Sequence, residues 1–294
     1  MKNILVVTGG AGFVGSNLIE ELIRFKKYQI ISIDNYSSGS SKNHIKNSRV
    51  RYLNGYTKNI SATLKNYKGK IHTIFHFGEF SRIFQSFNKF EECFSSNIEG
   101  SLQLFNFALE NKIKVVYSAT SASLGNTGKD MNLSPYAFTK AKNLEFLENL
   151  KKWFNFKYEI IYFYNVYGPR QISTGNMATV VGIFEECFKK KKPLPVVKPG
   201  SQTRMFTHVK DTVNACLTAW KKNQNKHYSV AGNKSYSIIK LAKLFRSKIK
   251  YLPQRKGERF SSALTKMNLN NKIIRLKAKI RLKDYVGGFL RKTT

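Results

Sequence analysis

The sequence predicts an α/β protein: a doubly wound parallel sheet followed by a smaller, less regular C-terminal lobe. Three observations carry this expectation. Short β-type runs alternate with longer helical patterns through the first half of the chain, a glycine-rich turn joins the first run to the first helix, and beyond Asn165 the pattern loosens into loops holding five of the six prolines. At 294 residues there is room for one full domain and an appendage, so the expected division is 1–165 and 166–294, with some later segments returning to the first domain.

The expected strands are residues 4–8, 30–34, 50–53, 71–77, 115–118 and 159–163, each a short run rich in β-branched or aromatic residues. Between them, residues 15–25 place Leu18, Ile19, Leu22 and Ile23 on one helical face, and residues 94–109 repeat apolar side chains at similar spacing. These are expected to be crossover helices. Further helices are expected around 177–189 and 212–220.

Composition narrows the class. Lys and Arg total 51 against 17 Asp and Glu, a net charge of +34 that attracts any anionic partner. The basic residues are spread through every segment, and the densest run is only Lys189-Lys190-Lys191-Lys192. Such a diffuse excess reads as a solvated surface, not a nucleic-acid-binding stripe. Cys93, Cys187 and Cys216 stand far apart without a Cys/His cluster, so no metal is expected and the protein is read as reduced and cytoplasmic. No apolar run reaches the roughly 18 to 20 residues of a membrane span, and the four apolar residues after Met1-Lys2-Asn3 read as a buried strand, not a signal peptide.

Thr8-Gly9-Gly10-Ala11-Gly12-Phe13-Val14-Gly15 follows the first expected strand and opens the first helix. Glycines there allow a tight turn and close backbone approach to a pyrophosphate seated at the helix N-terminus. Asp34 ends the second strand nineteen residues after Gly15, where a carboxylate can accept from an adenosine ribose 2′-hydroxyl and would repel a 2′-phosphate. The pattern is that of a Rossmann domain binding NAD in preference to NADP. A second pair lies in Ser134-Pro135-Tyr136-Ala137-Phe138-Thr139-Lys140: Tyr136 and Lys140, four residues apart at a helix start, share one face. A neighbouring ammonium and a nicotinamide cation would favour the Tyr136 phenolate and make it a proton shuttle.

Together with Asp34-Asn35-Tyr36-Ser37-Ser38-Gly39, Asn165-Val166-Tyr167-Gly168-Pro169-Arg170 and Ser201-Gln202-Thr203-Arg204-Met205-Phe206, these motifs resemble the extended short-chain dehydrogenase/reductase family, the NAD-dependent epimerase/dehydratase group. The resemblance is strong from Ile4 to about Asp211 and thin afterwards. It implies an NAD-dependent enzyme of carbohydrate biosynthesis acting on a nucleotide-diphosphate sugar, with the smaller lobe binding substrate. Among UDP-sugar enzymes of the group, the 4-epimerases are the ones this chain resembles.

The resemblance also implies residue roles. Thr120 falls at the catalytic hydroxyl position beside Tyr136 and Lys140. Gly9, Gly12, Phe13, Val14, Gly15, Asp34, Asn35, Phe77, Gly78, Glu79, Asn97 and Phe163, with Tyr136 and Lys140, fall where the family holds its cofactor. Ser81 and Arg82 fall where it touches the sugar, and Asn165, Arg204 and Arg255 where it holds the diphosphate. Arginine suits that task because its planar fork meets phosphate oxygens at two points. The family's common dimer, formed through two helices of each chain, implies a homodimer across residues 84–109 and 144–154.

Three departures stand out. Gly55-Tyr56 replaces a frequent Gly-Asp, Leu124 a frequent tyrosine, and Met205 a frequent aspartate. The residues after Thr120 decide the expected reaction. Dehydrating and decarboxylating relatives carry an acid shortly after the catalytic hydroxyl, whereas this chain has Ser121 and Ala122. The expected activity is therefore 4-epimerisation through a transient 4-keto sugar; the alternative is a 4,6-dehydratase or 4-keto reductase, for which Glu79 could supply a base. The nucleotide and the sugar are not legible in the chain.

Overall fold

The computed structural model describes residues 2–123, 132–254 and 273–293. Among them, eight strands form one sheet: β1 (Ile4–Thr8), β2 (Gln29–Asp34), β3 (Val50–Asn54), β4 (Ile71–His76), β5 (Lys114–Thr120), β6 (Tyr158–Phe163), β7 (His227–Ala231) and β8 (Ile273–Lys277). Every neighbouring pair is parallel, in the order β8-β7-β6-β5-β4-β1-β2-β3. All six expected strands are present within two residues at either end. β7 and β8 come from the second half of the chain, from which some segments were expected to return to the first domain; these two were not singled out, because His-Tyr-Ser-Val-Ala and the edge segment Ile-Ile-Arg-Leu-Lys carry little continuous apolar signal.

The inner strands β1, β4, β5 and β6 are buried on both faces, as a doubly wound sheet requires, while the edge strands β3 and β8 are partly exposed. In β1, Ile4 and Val6 face the layer of α2 (Gly100–Glu110) and α3 (Pro135–Phe154), where Leu104, Phe105, Leu144 and Leu147 complete the core. Leu5 and Val7 face the opposite layer, packed among residues of α1 (Phe13–Leu22) and α5 (Val209–Lys222). A third cluster around Tyr167, Leu194 and Val196 lies under α4 (Val180–Lys189) and forms the core of the distal segment.

α3 begins where its sequence says it should. Ser134 caps it by accepting from the Ala137 N–H at 3.1 Å, Pro135 occupies the first turn, and Asn155 closes it in the left-handed conformation (φ 52°). α2 is preceded without a break by a helical turn Phe90–Phe94 and a π turn Ser95–Glu99, so the helical segment runs further back than the expected 94–109. No helix among the described residues is long and apolar enough to cross a membrane.

The strand order reverses between β1 and β4, and the carboxyl ends of β1, β2, β4, β5 and β6 open onto one crevice there. One buried ion pair ties the later chain to this sheet. Glu159 of β6 lies 3.4 Å from Lys114 Nζ of β5 and accepts from the backbone N–H groups of Gln224, Asn225 and Lys226, which lead into β7.

Histidine burial makes the fold acid-sensitive. His76 and His208 are buried neutral, and burial pulls each down from the usual histidine value to about 4. The unfolded chain would bind their protons near pH 6.5, so stability should rise with pH between about 4 and about 6.5 and then level off, each group contributing up to roughly 3 kcal/mol. His227 is also buried, and burial with the charges of Lys151 and Lys226 pulls it down to about 4, so it adds to the same trend. Calorimetric unfolding from pH 8 to 4 should therefore show a plateau and then a fall beginning above the carboxylate range. An unchanged Tm between pH 7 and 5 would contradict this account.

Candidate active site

The crevice is a cleft of about 890 Å³ running from the glycine turn to the segment around Arg204. Its floor is the turn after β1. A Cβ on Gly9 would stand 2.8 Å from Phe77 O, and one on Gly15 would stand 2.1 Å from Gly9 O, so both positions admit only glycine. Gly12 caps α1 without a side chain, leaving the N–H groups of the first turn, with Phe13 and Val14, facing the cleft. That cradle fits a dinucleotide pyrophosphate.

Asp34 lies at the end of β2, buried, and its two oxygens accept from the N–H groups of Ala11 and Tyr36, each at 2.9 Å. Burial pushes its carboxyl above the ordinary value, and the backbone donors pull it back. Gly39 folds against the carboxylate so closely that a Cβ there would meet Asp34 Oδ1 at 2.8 Å. Asn35 also lines the cleft, its Oδ1 accepting from Ser37 N and Oγ. On the opposite wall Phe77 meets Phe163 edge to face, ring centres 5.5 Å apart.

Beyond Gly78, the side chain of Glu79 turns away from solvent into a buried polar network. Oε2 accepts from Lys140 Nζ, while Oε1 accepts from Ser101 Oγ at 2.9 Å and Tyr117 OH at 3.0 Å, with Asn143 Nδ2 also at 3.0 Å. The same ammonium donates to Ser118 O at 2.5 Å. Burial draws Lys140 below the usual lysine value, and Glu79 draws it back up. Donor arithmetic extends the chain. Thr8 Oγ1 accepts from the N–H groups of Phe77 and Gly78, so its proton points to His76 Nδ1 at 2.8 Å. His76 is then the tautomer whose Nε2–H donates to Ser101 Oγ at 3.0 Å, and Ser101 passes its own hydrogen to Glu79.

Thr120 ends β5, Tyr136 stands in the first turn of α3, and the two side chains share a hydrogen bond at the cleft wall. Burial pushes the Tyr136 phenol up to about 12; the Thr120 hydroxyl lowers it, the Glu79 charge raises it, and the Arg82 guanidinium lowers it. The sequence led us to expect Lys140 as the cation acting on this phenol. In the structure its ammonium is committed to Glu79 and Ser118, and the cation whose charge eases the phenol's ionisation is Arg82.

The other expected residues divide. Ser81 and Arg82 line the cleft after β4; Asn165, whose Nδ2 donates to Met205 O at 2.9 Å, and Arg204, whose Nη1 donates to Thr203 O at 2.8 Å, line it from the distal segment. Asn97 is not brought to the cleft. It is fully buried in the π turn, where its Oδ1 accepts from Phe80 N at 2.7 Å and its Nδ2 donates to Thr139 Oγ1 at 3.0 Å, so it braces the loop that carries Phe80. Arg255 lies outside the described residues.

Sequence reasoning missed His76, Ser101, Tyr117 and Asn143. Asn143 had a readable signal, since it follows Lys140 by three residues on the buried face of α3. Ser101 and Tyr117 had none, because only tertiary packing brings α2 and β5 to the same carboxylate. Gln202, 1% exposed and donating from Nε2 to Val197 O at 3.0 Å, also lines the cleft.

The NAD dependent epimerase/dehydratase family model matches residues 5–231. A putative UDP-glucose 4-epimerase of Methanocaldococcus jannaschii is 27% identical over 271 residues, 87% of either chain. A UDP-N-acetyl-α-D-glucosaminuronate decarboxylase of Bacillus cytotoxicus is 28% identical over 242 residues, 76% of this chain and 73% of the relative. Among solved structures, the UDP-glucose 4-epimerase of Thermotoga maritima with UDP-glucose superposes with a TM-score of 0.86 at 27% identity, covering 99% of both chains.

The Glu79–Lys140 pair makes a stability test available. Glu79→Gln leaves an ammonium buried without its counter-charge, at a cost of about 3 kcal/mol, whereas Glu79→Gln combined with Lys140→Met removes both charges and should recover part of the loss. Urea unfolding of the two variants measures this; equal destabilisation in both would show that the pair is not coupled.

Proposed function

Because the chain belongs to the NAD dependent epimerase/dehydratase family, we propose that it is a nucleotide-sugar 4-epimerase working through a transient 4-keto sugar. NAD is the cofactor of this family, and when bound it takes up a hydride from the sugar and gives it back. Gly9, Gly12 and Gly15 hold its pyrophosphate, and Asp34 and Asn35 hold its adenosine ribose. Phe77, Gly78 and Phe163 line its path toward the reacting end.

Tyr136 removes the proton of the sugar 4-hydroxyl as the C4 hydride departs, and Thr120 orients that hydroxyl through the hydrogen bond it shares with the phenol. Once the 4-keto sugar has turned over in the cleft, Tyr136 would give the proton back to its oxygen as C4 is reduced on the other face. Nothing is oxidised overall. Arg204 and Asn165 hold the diphosphate end while the sugar turns, with Arg255 assigned to the same end.

The commitment of Glu79 is the observation that carries this reading. A dehydratase needs an acid or base acting on carbons beside C4. Residues 121–123 provide no carboxylate, and Glu79, the carboxylate nearest in sequence to the expected sugar contacts, is occupied by Lys140, Ser101 and Tyr117. Glu92 at the rim is paired with Lys89 at 2.6 Å. With those groups occupied, simple return of the hydride is the reaction the described residues support best.

Exposed aromatic and aliphatic side chains on the α2 and α3 layer support a homodimer. Phe90 is 52% exposed with its ring tilted against Phe94, centres 4.4 Å apart, Leu102 is 45% exposed, and Trp153 is 62% exposed at the end of α3. Light scattering at micromolar concentration should give twice the chain mass, and a monomer would remove this assignment.

Sugar NMR after incubation with UDP-, GDP- and dTDP-hexoses tests the reaction. A 4-epimer should form without added reductant, and Tyr136→Phe should cut kcat by about 10² to 10⁴-fold while NAD stays bound. In the same assay Arg204→Ala should raise KM with NAD binding intact. Loss of water with accumulation of a 4-keto product would replace the epimerase reading with a dehydratase.

A further inference from the structure

Arg82 lines the cleft and eases ionisation of the Tyr136 phenol, yet the chemistry above names no substrate group that its guanidinium hydrogens receive. Its Nε and Nη2 donate to Met177 O and its Nη1 donates to Ser81 O at 3.0 Å. Both acceptors are neutral carbonyls, and they use three of the five guanidinium hydrogens. The described carboxylates that line the cleft are all committed elsewhere: Asp34 to the N–H groups of Ala11 and Tyr36, Glu79 to Lys140, and Glu92 to Lys89. None of them is paired with Arg82.

Its position is as informative as its charge. Arg82 lines the cleft in the segment after β4 that packs on Tyr136, where Ser86 Oγ accepts from Tyr136 N at 3.2 Å, and its charge reaches the phenol, so it stands at the reacting end of the cleft. A neutral sugar closing over it would strip water from the guanidinium and return no counter-charge. A carboxylate would take the two remaining N–H groups in two-point geometry. On a hexose acted on at C4, the C6 carboxylate of the uronic acid lies two bonds from the reacting carbon, within the same neighbourhood as a residue beside the phenol.

We propose that Arg82 receives a carboxylate on the sugar ring, so that the preferred substrate is a nucleotide-linked uronic acid. This rests on the nucleotide-sugar reading and deepens it. The overall field of +34 favours any more anionic ligand, but it is nearly unchanged by one substitution, whereas a local receptor is lost with it.

The test compares UDP-glucuronate with UDP-glucose, which differ only at C6, so the contribution of the base cancels in the ratio of affinities. Calorimetry on the NAD-loaded protein should give roughly 10- to 100-fold tighter binding of UDP-glucuronate. Arg82→Gln should bring the ratio near one, and Arg82→Lys should keep part of it. A wild-type ratio near one overturns the proposal and needs no variant. It is equally overturned if Arg82→Gln keeps the ratio. Selective binding of UDP-glucuronate without any 4-epimer in the NMR spectrum would sink the epimerase reading and leave the carboxylate receptor standing.

Discussion

The buried carboxylate of Glu79 is the point on which the active-site wall depends. Four elements reach it: Lys140 and Asn143 from α3, Tyr117 from β5, Ser101 from α2, and its own loop after β4. Through Ser101 and His76 it is joined to Thr8, whose hydroxyl holds the backbone of Phe77 and Gly78 where the glycine turn begins. A single satisfied network thus fixes the pyrophosphate cradle and the Tyr136 helix relative to each other. A partly satisfied one would cost more than an apolar core, so each member constrains the rest.

This arrangement sets the electrostatics of Tyr136 by opposition. Burial and the Glu79 charge hold the phenol protonated, while the Thr120 hydroxyl and Arg82 favour the phenolate. Lys140, neutralised by Glu79, contributes chiefly by position: its ammonium is held over the Tyr117 ring at 4.6 Å and against Ser118 O. A resting phenol near 12 stays protonated at neutral pH, and a bound nicotinamide cation would add to the groups that favour its ionisation.

Much of this was legible in the chain. The six expected strands, the glycine turn and the Ser134-Pro135 start of α3 each follow from local rules, since a buried parallel strand must be apolar on both sides and a helix start needs its cap. The convergence of Asp34, Thr120 and Tyr136 on one cleft follows from strand order. What was not legible depends on tertiary partners. Asn97 fits a motif position yet turns to Phe80, because a buried amide takes the nearest backbone pair. Glu79 read as an available base, and only Ser101, Tyr117 and Asn143, remote from it in sequence, reveal it as occupied. β7 and β8 escaped because short strands at the sheet's far side carry buried polar residues, His227 and Ser229, in place of an apolar run.

The late arrival of β7 bears on how the chain is made. β6 is complete at Phe163, but its second neighbour comes from His227–Ala231, and the Glu159 carboxylate waits for Gln224 to Lys226. During synthesis the half-built sheet therefore presents an open strand edge and a buried acid lacking its backbone donors, a state prone to pairing with other chains. The contacts that end this exposure span long sequence separations, so closure of the sheet is expected to be slow relative to folding of the first three strands. For this protein, the interval between translation of β6 and docking of β7 is the window in which a chaperone has most to protect.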